Sequence, residues 1–171
     1  MWRGLVVAVV VAIGFLIGSP YFSWVLFRVM GEQTAWSINR DNTRSTLVWG
    51  PDIVPPDWVP VMPGTLLIKS GRWIEYEGRP SKSGNLELLS HDDAAAIVAW
   101  YAQQLAERGF VVAPTPEASD IQRLMAVEGE VRAANPSLGV DVRVVVRSRQ
   151  GLLLRPRLVE VHWFDRPGGK S

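Results

Sequence analysis

The chain has 171 residues, a formal net charge of +1 and no cysteine. This length supports one small core, and a charge so close to zero gives no reason to expect a nucleic-acid partner. The lack of cysteine excludes disulfides and thiolate metal sites. With only His91 and His162 as histidines, a transition-metal site built by the protein alone is not expected.

The N-terminal segment from Gly4 to Phe27 contains no charged residue. As a helix it would be about 36 Å long, which is enough to cross a bilayer core of about 30 Å. It lacks the small-residue pattern of a signal-peptidase site. We therefore predict a retained membrane anchor over residues 1–30 rather than a removed signal peptide. Pro20 would either kink this helix or begin a second short one.

Two glycines in this anchor, Gly14 and Gly18, lie four residues apart. Such spacing lets two helices approach closely in lipid, so we predict helix packing there, although glycine is also common in membrane helices for other reasons. Arginines lie on both sides of the anchor and define its orientation poorly. The short N-terminal tail favours a single-pass protein of the inner (cytoplasmic) membrane whose C-terminal domain is periplasmic rather than cytoplasmic.

Residues 31–64 carry prolines at positions 51, 55, 56, 60 and 63, which exclude a continuous helix and a central strand there. We predict an extended linker. It contains Trp36, Trp49 and Trp58, whose large apolar side chains are unfavourable in water. They are expected to dock on the protein's own domain or on a partner subunit, and as candidate partner contacts they are joined by Trp100 of the following domain.

Residues 65–171 predict a small α+β domain, an antiparallel sheet with one or two helices on one face. "TLLIKSGRWIEYEG" predicts a hairpin that turns at Ser70-Gly71, and "GNLELLS" predicts the next strand. "SHDDAAAIVAWYAQQLAERGF" predicts a helix with Ser90 as N-cap and Gly109 just past its end. Its predicted buried stripe consists of Ala94, Ile97, Val98, Tyr101 and Leu105.

The last third of the chain predicts further strands. "FVVA" predicts a short strand after Gly109. Residues 116–134 favour a helix on the spacing of their apolar side chains, while a strand-rich alternative for residues 121–132 stays open. The alternation in "VDVRVVVRSR" and "RLVEVHWF" predicts two paired strands. The valines predicted on one face of the first of these strands are Val140, Val142, Val144 and Val146.

"VPVMPGTLLI", followed after a hairpin by "VAWYAQQLAERGF", resembles a pattern found in uncharacterised bacterial envelope-anchored α+β domains. In that pattern a Pro-Gly turn leads into the first strand, and a helix with an aromatic-Tyr-x3-Leu-x3-Gly-aromatic motif follows. The resemblance covers residues 59–113, and Met62 stands where the pattern usually has an aromatic residue. It implies an envelope location and an α+β fold, and it implies no particular activity.

The sequence contains no catalytic motif: it has no G-x-S-x-G serine, no phosphate-binding loop and no dinucleotide fingerprint. His91, beside Asp92 and Asp93, is expected in a solvated first turn of the helix. His162 is expected to be a hydrogen-bonded residue on the same strand face as Glu160. We therefore predict that the protein is not an enzyme and that it has no catalytic residue, no cofactor and no metal.

Arginines are concentrated in the C-terminal part of the chain, where they flank the apolar stretch "GLLL". Leucines between arginines suit contact with an anionic membrane surface, and the alternative is an ordinary strand or a loop folded onto the core. The predicted anionic or interfacial contacts are Arg143, Arg147, Arg149, Leu152, Leu153, Leu154, Arg155 and Arg157.

These features predict a non-catalytic, single-span accessory or assembly subunit of a larger bacterial membrane complex, for example a respiratory or light-harvesting one. Its expected partners are the lipid bilayer and other membrane-protein subunits, and not nucleic acid. The alternative prediction is a free-standing envelope-anchored module that binds a peptide, a lipid headgroup or a small ligand.

Overall fold

The computed structural model describes residues 25, 28–38, 42–76, 79–114, 126–148 and 156–166. Within these ranges, nine strands form one sheet and one helix covers part of it. The strands are β1 (Gln33–Ile38), β2 (Arg44–Gly50), β3 (Leu66–Tyr76), β4 (Arg79–Pro80), β5 (Gly84–Ser90), β6 (Val111–Val112), β7 (Val127–Asn135), β8 (Val140–Ser148) and β9 (Arg157–Asp165), and the helix is α1 (Ala94–Glu107).

The strand order is β1-β2-β3-β5-β9-β8-β7-β6, with β4 paired to the end of β3. Each described pair is antiparallel. Strands β5 and β9 are distant in sequence but pair along seven consecutive positions, from Gly84↔Trp163 to Ser90↔Arg157. This pairing joins the two halves of the sheet, and it leaves β1 at one edge and β6 at the other.

The core lies between α1 and one face of the sheet. The predicted alternation in β8 is confirmed, because Val140, Val142, Val144 and Val146 are all buried in the main apolar cluster. The predicted helix stripe is also confirmed: Ile97, Tyr101 and Leu105 are fully buried, and Ala94 and Val98 pack partly buried against the same cluster. Burial of these side chains supplies the main favourable term of folding.

Two glycines let bulky neighbours approach the sheet closely. Gly84 lies opposite Trp163, and a Cβ atom at position 84 would overlap with the indole ring and with the carbonyl oxygen of Gly71. At Gly129 of β7, a Cβ atom would lie 2.6 Å from Cγ2 of Val98 on the helix. Glycine at these positions therefore sets how closely Trp163 and α1 pack on the sheet.

The helix begins later than predicted. Its N-cap is Asp93 and not Ser90, because Ser90 still belongs to β5. The Ser90 hydroxyl instead donates to Oδ2 of Asp92 at 2.9 Å and accepts the Asp92 backbone N–H at 3.1 Å. At the other end, Gly109 has φ = 78°, the left-handed conformation expected just past a helix.

The predicted extended linker is wrong for residues 33–50, which form β1 and β2 of the same sheet. The prolines that argued against regular structure begin only at Pro51. The residues before it are rich in the threonine, valine, isoleucine and tryptophan that favour strands. The described chain is thus mostly antiparallel sheet, and the predicted three-part α+β organisation is corrected accordingly.

The predicted transmembrane helix also needs correction. Among the described residues, no helix is long enough and apolar enough to cross a membrane, which contradicts the fold class and the single-pass membrane description predicted from the sequence. Most of the residues used for that prediction, with Gly14, Gly18 and Pro20 among them, lie outside the described residues.

Two local predictions differ from the structure for reasons of strand pairing. Residues 66–76 form one long strand instead of a hairpin at Ser70-Gly71, because both residues pair with β5 and Gly71 provides room for the side chain of Asn85. Residues 127–135 form β7 instead of the end of a helix, because they pair along β8. The open strand-rich alternative is therefore correct for residues 127–132, and residues 115–125 lie outside the description.

Because Trp163 packs closely on Gly84, a single methyl group added at position 84 should destabilise the protein. Gly84→Ala should lower the free energy of unfolding by about 1–3 kcal/mol, the usual cost of overpacking, as measured by urea denaturation. In a Trp163→Phe background the same change should cost less by about 0.5 kcal/mol or more, since the smaller ring relieves part of the overlap. An equal loss in both backgrounds would contradict this packing.

Candidate functional site

The four tryptophans predicted as partner contacts occupy different environments. Trp58 packs on the protein's own core, with its ring centroid 6.0 Å from that of Phe110 and 6.2 Å from that of Trp163. Trp100 is partly buried and lies edge-on to Tyr101, and Trp49 is half-buried in β2. Of the four, only Trp36 is exposed, with 62% of its surface accessible.

Trp36 lies in β1, which pairs with β2 along six positions without a bulge, from Gln33↔Trp49 to Ile38↔Arg44. Thr34 to Ile38 are all exposed. Ile38 lies two residues from Trp36, so both side chains are on one face of the strand, and 61% of Ile38 is accessible. The edge of the sheet thus presents two large apolar side chains on the same face.

Contacts at the start of β1 fix its position. Gly31 has φ = 67°, a conformation that glycine adopts readily and that turns the chain into the strand. The Gln33 side-chain amide donates to the Met30 carbonyl at 2.8 Å, and Arg28 donates to Asp52 at 3.0 Å. The strand is therefore held in place by contacts at its beginning as well as by its ladder with β2.

Residues of opposite charge lie next to the two ends of β1. Arg44 lies opposite Ile38 in the register, and its guanidinium carbon is 5.8 Å from the centroid of the Trp36 ring, within range of a cation–π contact. Exposed Glu32 precedes the other end. Between these charges the strand sequence QTAWSI contains no ionisable residue.

The sheet face opposite α1 is crossed by ion pairs, with buried apolar side chains such as Val145 between them. Among the described residues its most buried charge is Glu130 of β7, whose side chain is only 3% exposed. Oε1 of Glu130 accepts the Nε–H of Arg132 at 2.6 Å and that of Arg143 at 2.8 Å. Burial raises the pKa of Glu130, but the two arginines outweigh this and hold its pKa below the ordinary value.

The same face continues across the central strands. Lys69 of β3 pairs with Glu87 of β5 at 2.7 Å, and Arg147 of β8 pairs with Glu160 of β9. His162 lies on this face, as predicted, with its ring stacked on Phe164 at 6.1 Å. Burial lowers the pKa of His162 in spite of the nearby carboxylates, which favours the neutral imidazole at neutral pH.

The arginines predicted as anionic contacts and described by the structure all meet carboxylates of the protein. Arg143 binds Glu130 and Arg147 binds Glu160. Arg157 lies at the helix side, where it donates to Glu128 at 2.7 Å and to the Asp92 carbonyl at 2.8 Å. The remaining predicted contacts, which lie outside the described residues, are Arg149, Leu152, Leu153, Leu154 and Arg155.

The sequence interpretation did not identify Glu130, Arg132 or Phe164. A usable signal was the "EGEVR" stretch at residues 128–132, whose charges alternate with a strand period. It was missed because a helix was favoured there. Among the described residues, no group of three or more His, Asp or Glu side chains is arranged to hold a metal ion. The prediction that the protein is not an enzyme stays a prediction.

Comparison with known proteins gives no relative from which a function could be inferred. No family model matches the chain, no curated protein is significantly similar to it, and no solved structure matches it significantly.

The different environments of Trp58 and Trp36 predict different effects on stability. Trp58→Ala should lower the free energy of unfolding by about 2–4 kcal/mol because it removes an aromatic side chain packed on the core. In solutions dilute enough for the chain to be a monomer, Trp36→Ala should change it by no more than about 0.5 kcal/mol, as is usual for an exposed side chain. Urea denaturation monitored by circular dichroism measures both, and similar losses for the two variants would contradict these placements.

The lowered pKa of Glu130 predicts a specific pH dependence. The protein gains stability from this group above the ordinary glutamate pKa of 4.5 and loses it as the pH falls through the lowered folded-state pKa. Glu130→Gln should therefore cost about 2 kcal/mol at pH 7, and the difference from the natural protein should shrink as the pH falls below about 4.5. A difference that stays constant from pH 7 to pH 3 would contradict this role of the carboxylate.

Proposed function

We propose that the protein is a non-catalytic assembly subunit that joins protein chains through its edge strand β1, and that the chain bound there is a second copy of itself. The observation that carries this proposal is that the strand at this edge of the sheet is regular over six residues and exposes the side chains of Trp36 and Ile38. Monomeric proteins usually protect such edges with charges, prolines or bulges, and β1 has none of these.

An edge strand binds another strand through its outward backbone N–H and C=O groups. Two copies of one edge pair antiparallel around a two-fold axis perpendicular to the sheet, which keeps the same face of both sheets on the same side. The Trp36 and Ile38 side chains of both copies would then meet on one face. In this apolar patch the side chains of the two copies would cover each other, although they are accessible to solvent in the single chain.

The charges around β1 favour this self-pairing. Because residues 33–38 contain no ionisable side chain, no like charges are brought together along the paired strands. Antiparallel pairing brings the Glu32 end of one copy near the Ile38 end of the other, beside Arg44. The two-fold arrangement thus places opposite charges near each other twice, which favours it over a parallel one.

The short strand limits the strength of the contact. Six paired residues on each side bury less than a standard interface, so we expect a dissociation constant of micromolar order. Binding to further subunits and to lipid, a place in a larger bacterial complex, and an envelope location stay predictions from the sequence. A strand from a different protein on β1 is an alternative outcome of the experiment below.

The chain has no cysteine, so a single introduced thiol reports on one position only. In the full chain, Ala35→Cys marks the middle of β1, and Val111→Cys marks the opposite edge of the sheet, where residue 111 is 68% exposed. With the two-fold axis at residue 35 or 36, the introduced thiols of the two Ala35→Cys copies lie within about 10 Å of each other. We expect a short bifunctional maleimide to crosslink the Ala35→Cys protein into dimers and to leave the Val111→Cys protein monomeric.

Sedimentation of the full chain completes this test. The dimer fraction should rise with concentration, and Trp36→Glu should shift the dimerisation midpoint upward by about tenfold or more, because a charge replaces a buried aromatic contact. A dimer that is unaffected by Trp36→Glu would contradict pairing through β1. Crosslinking of the Ala35→Cys thiol only to a different protein in the native cell would replace self-pairing with a heterologous partner, and an unreactive thiol at position 35 would refute an open edge.

A further inference from the structure

A shallow cavity of about 420 Å³, largely open to solvent, lies at the corner of the sheet farthest from β1, where β6, β7, β8 and β9 meet. This volume is in the range of small-molecule sites. Arg132, Arg143 and Arg166 line its polar side, and Val111 and Phe164 contribute apolar surface. It is independent of the edge strand on which the proposed function rests.

The two central arginines are held in place by a carboxylate that is itself buried. Glu130, 3% exposed, binds Arg132 and Arg143 through the Nε–H of each guanidinium. These bonds leave the terminal amino groups of both guanidinium groups for another acceptor. Planar guanidinium groups bind carboxylates through two parallel hydrogen bonds, so this arrangement presents prepositioned donors to an oxyanion.

The charge of the cavity limits the ligand. Among the described residues that line it, the carboxylate is Asp141, which lies 3.5 Å from Arg166. Glu130 does not line the cavity but binds two of its arginines. Three arginines thus face two carboxylates in this part of the structure, and one net positive charge remains. This balance suits a ligand with a single negative charge and disfavours a cation or a polyphosphate.

The apolar wall indicates what else the ligand carries. Phe164 is 48% exposed although its ring is stacked on His162 at an interplanar angle of 7°, and Val111 is 68% exposed. These surfaces lie next to the arginines, so a ligand that covers them would remove apolar area from water while its anionic end binds the guanidinium groups. We propose that this cavity binds a small organic carboxylate with a planar apolar body, with the carboxylate on Arg132 and Arg143 and the body on Phe164.

Benzoate is a suitable probe, with benzamide as its neutral counterpart of the same shape and acetate as the carboxylate without the ring. Titration of the full chain at pH 7 in a chloride-poor buffer, followed by backbone amide NMR shifts at residues 111 and 164, measures binding. We expect saturable benzoate binding with a dissociation constant on the order of 1 mM. Benzamide and acetate should each bind at least about tenfold more weakly than benzoate.

Two substitutions on the same strand separate the cavity from general surface charge. Arg143→Gln should weaken benzoate binding about tenfold or more, whereas Arg147→Gln, four residues along β8 and paired with Glu160 outside the cavity, should leave it within about twofold. Arg132→Gln repeats the test from β7 should the first variant fail to fold. Three results would each overturn the proposal. They are equal binding of benzoate and benzamide, an equal loss of benzoate affinity in Arg143→Gln and Arg147→Gln, and the absence of saturable amide shifts.

Discussion

The alternation of side chains along β8 and β9 is the constraint on which the structure depends. Because successive residues point to opposite faces, packing the alternate valines of β8, from Val140 to Val146, under α1 places Arg143 and Arg147 on the other face, with Val145 between them. Glu130 of β7 and Glu160 of β9 both lie opposite Val145, and from there they bind Arg143 and Arg147 diagonally. The choice of the face that the helix covers thus produces both the apolar core and the charged surface that contains the cavity.

The pairing of β5 with β9 determines which strands become edges. It places Trp163 against Gly84 in the middle of the sheet. The N-terminal strands then extend outward from β3 until β1, among the described strands, has a neighbour on one side only. The described helix covers the C-terminal half, so β1 receives no cover from it. An exposed Trp36 is therefore a consequence of strand order, and the proposed pairing with a second copy follows from that order.

Local patterns predicted α1, β8 and β9 well because their apolar periods are complete within each segment. The prediction of an extended linker over residues 33–50 was wrong because it rested on prolines that begin only at Pro51, whereas the residues before it favour strands. Most of the site could not be predicted from local sequence patterns. The exposure of Trp36, for example, depends on which strand lies at the edge of the sheet. Likewise, the bond between Glu130 and Arg143 depends on the register of two strands, which no single segment encodes.

Amide hydrogen exchange of the full chain at low and high protein concentration tests the central claim, the open and self-pairing edge, most directly. The account predicts that the amides of residues 33–38 exchange more slowly as the concentration rises through the micromolar range. Those of Val111 and Val112, at the opposite edge of the sheet, should exchange at an unchanged rate. Exchange in β1 that is independent of concentration would contradict the account.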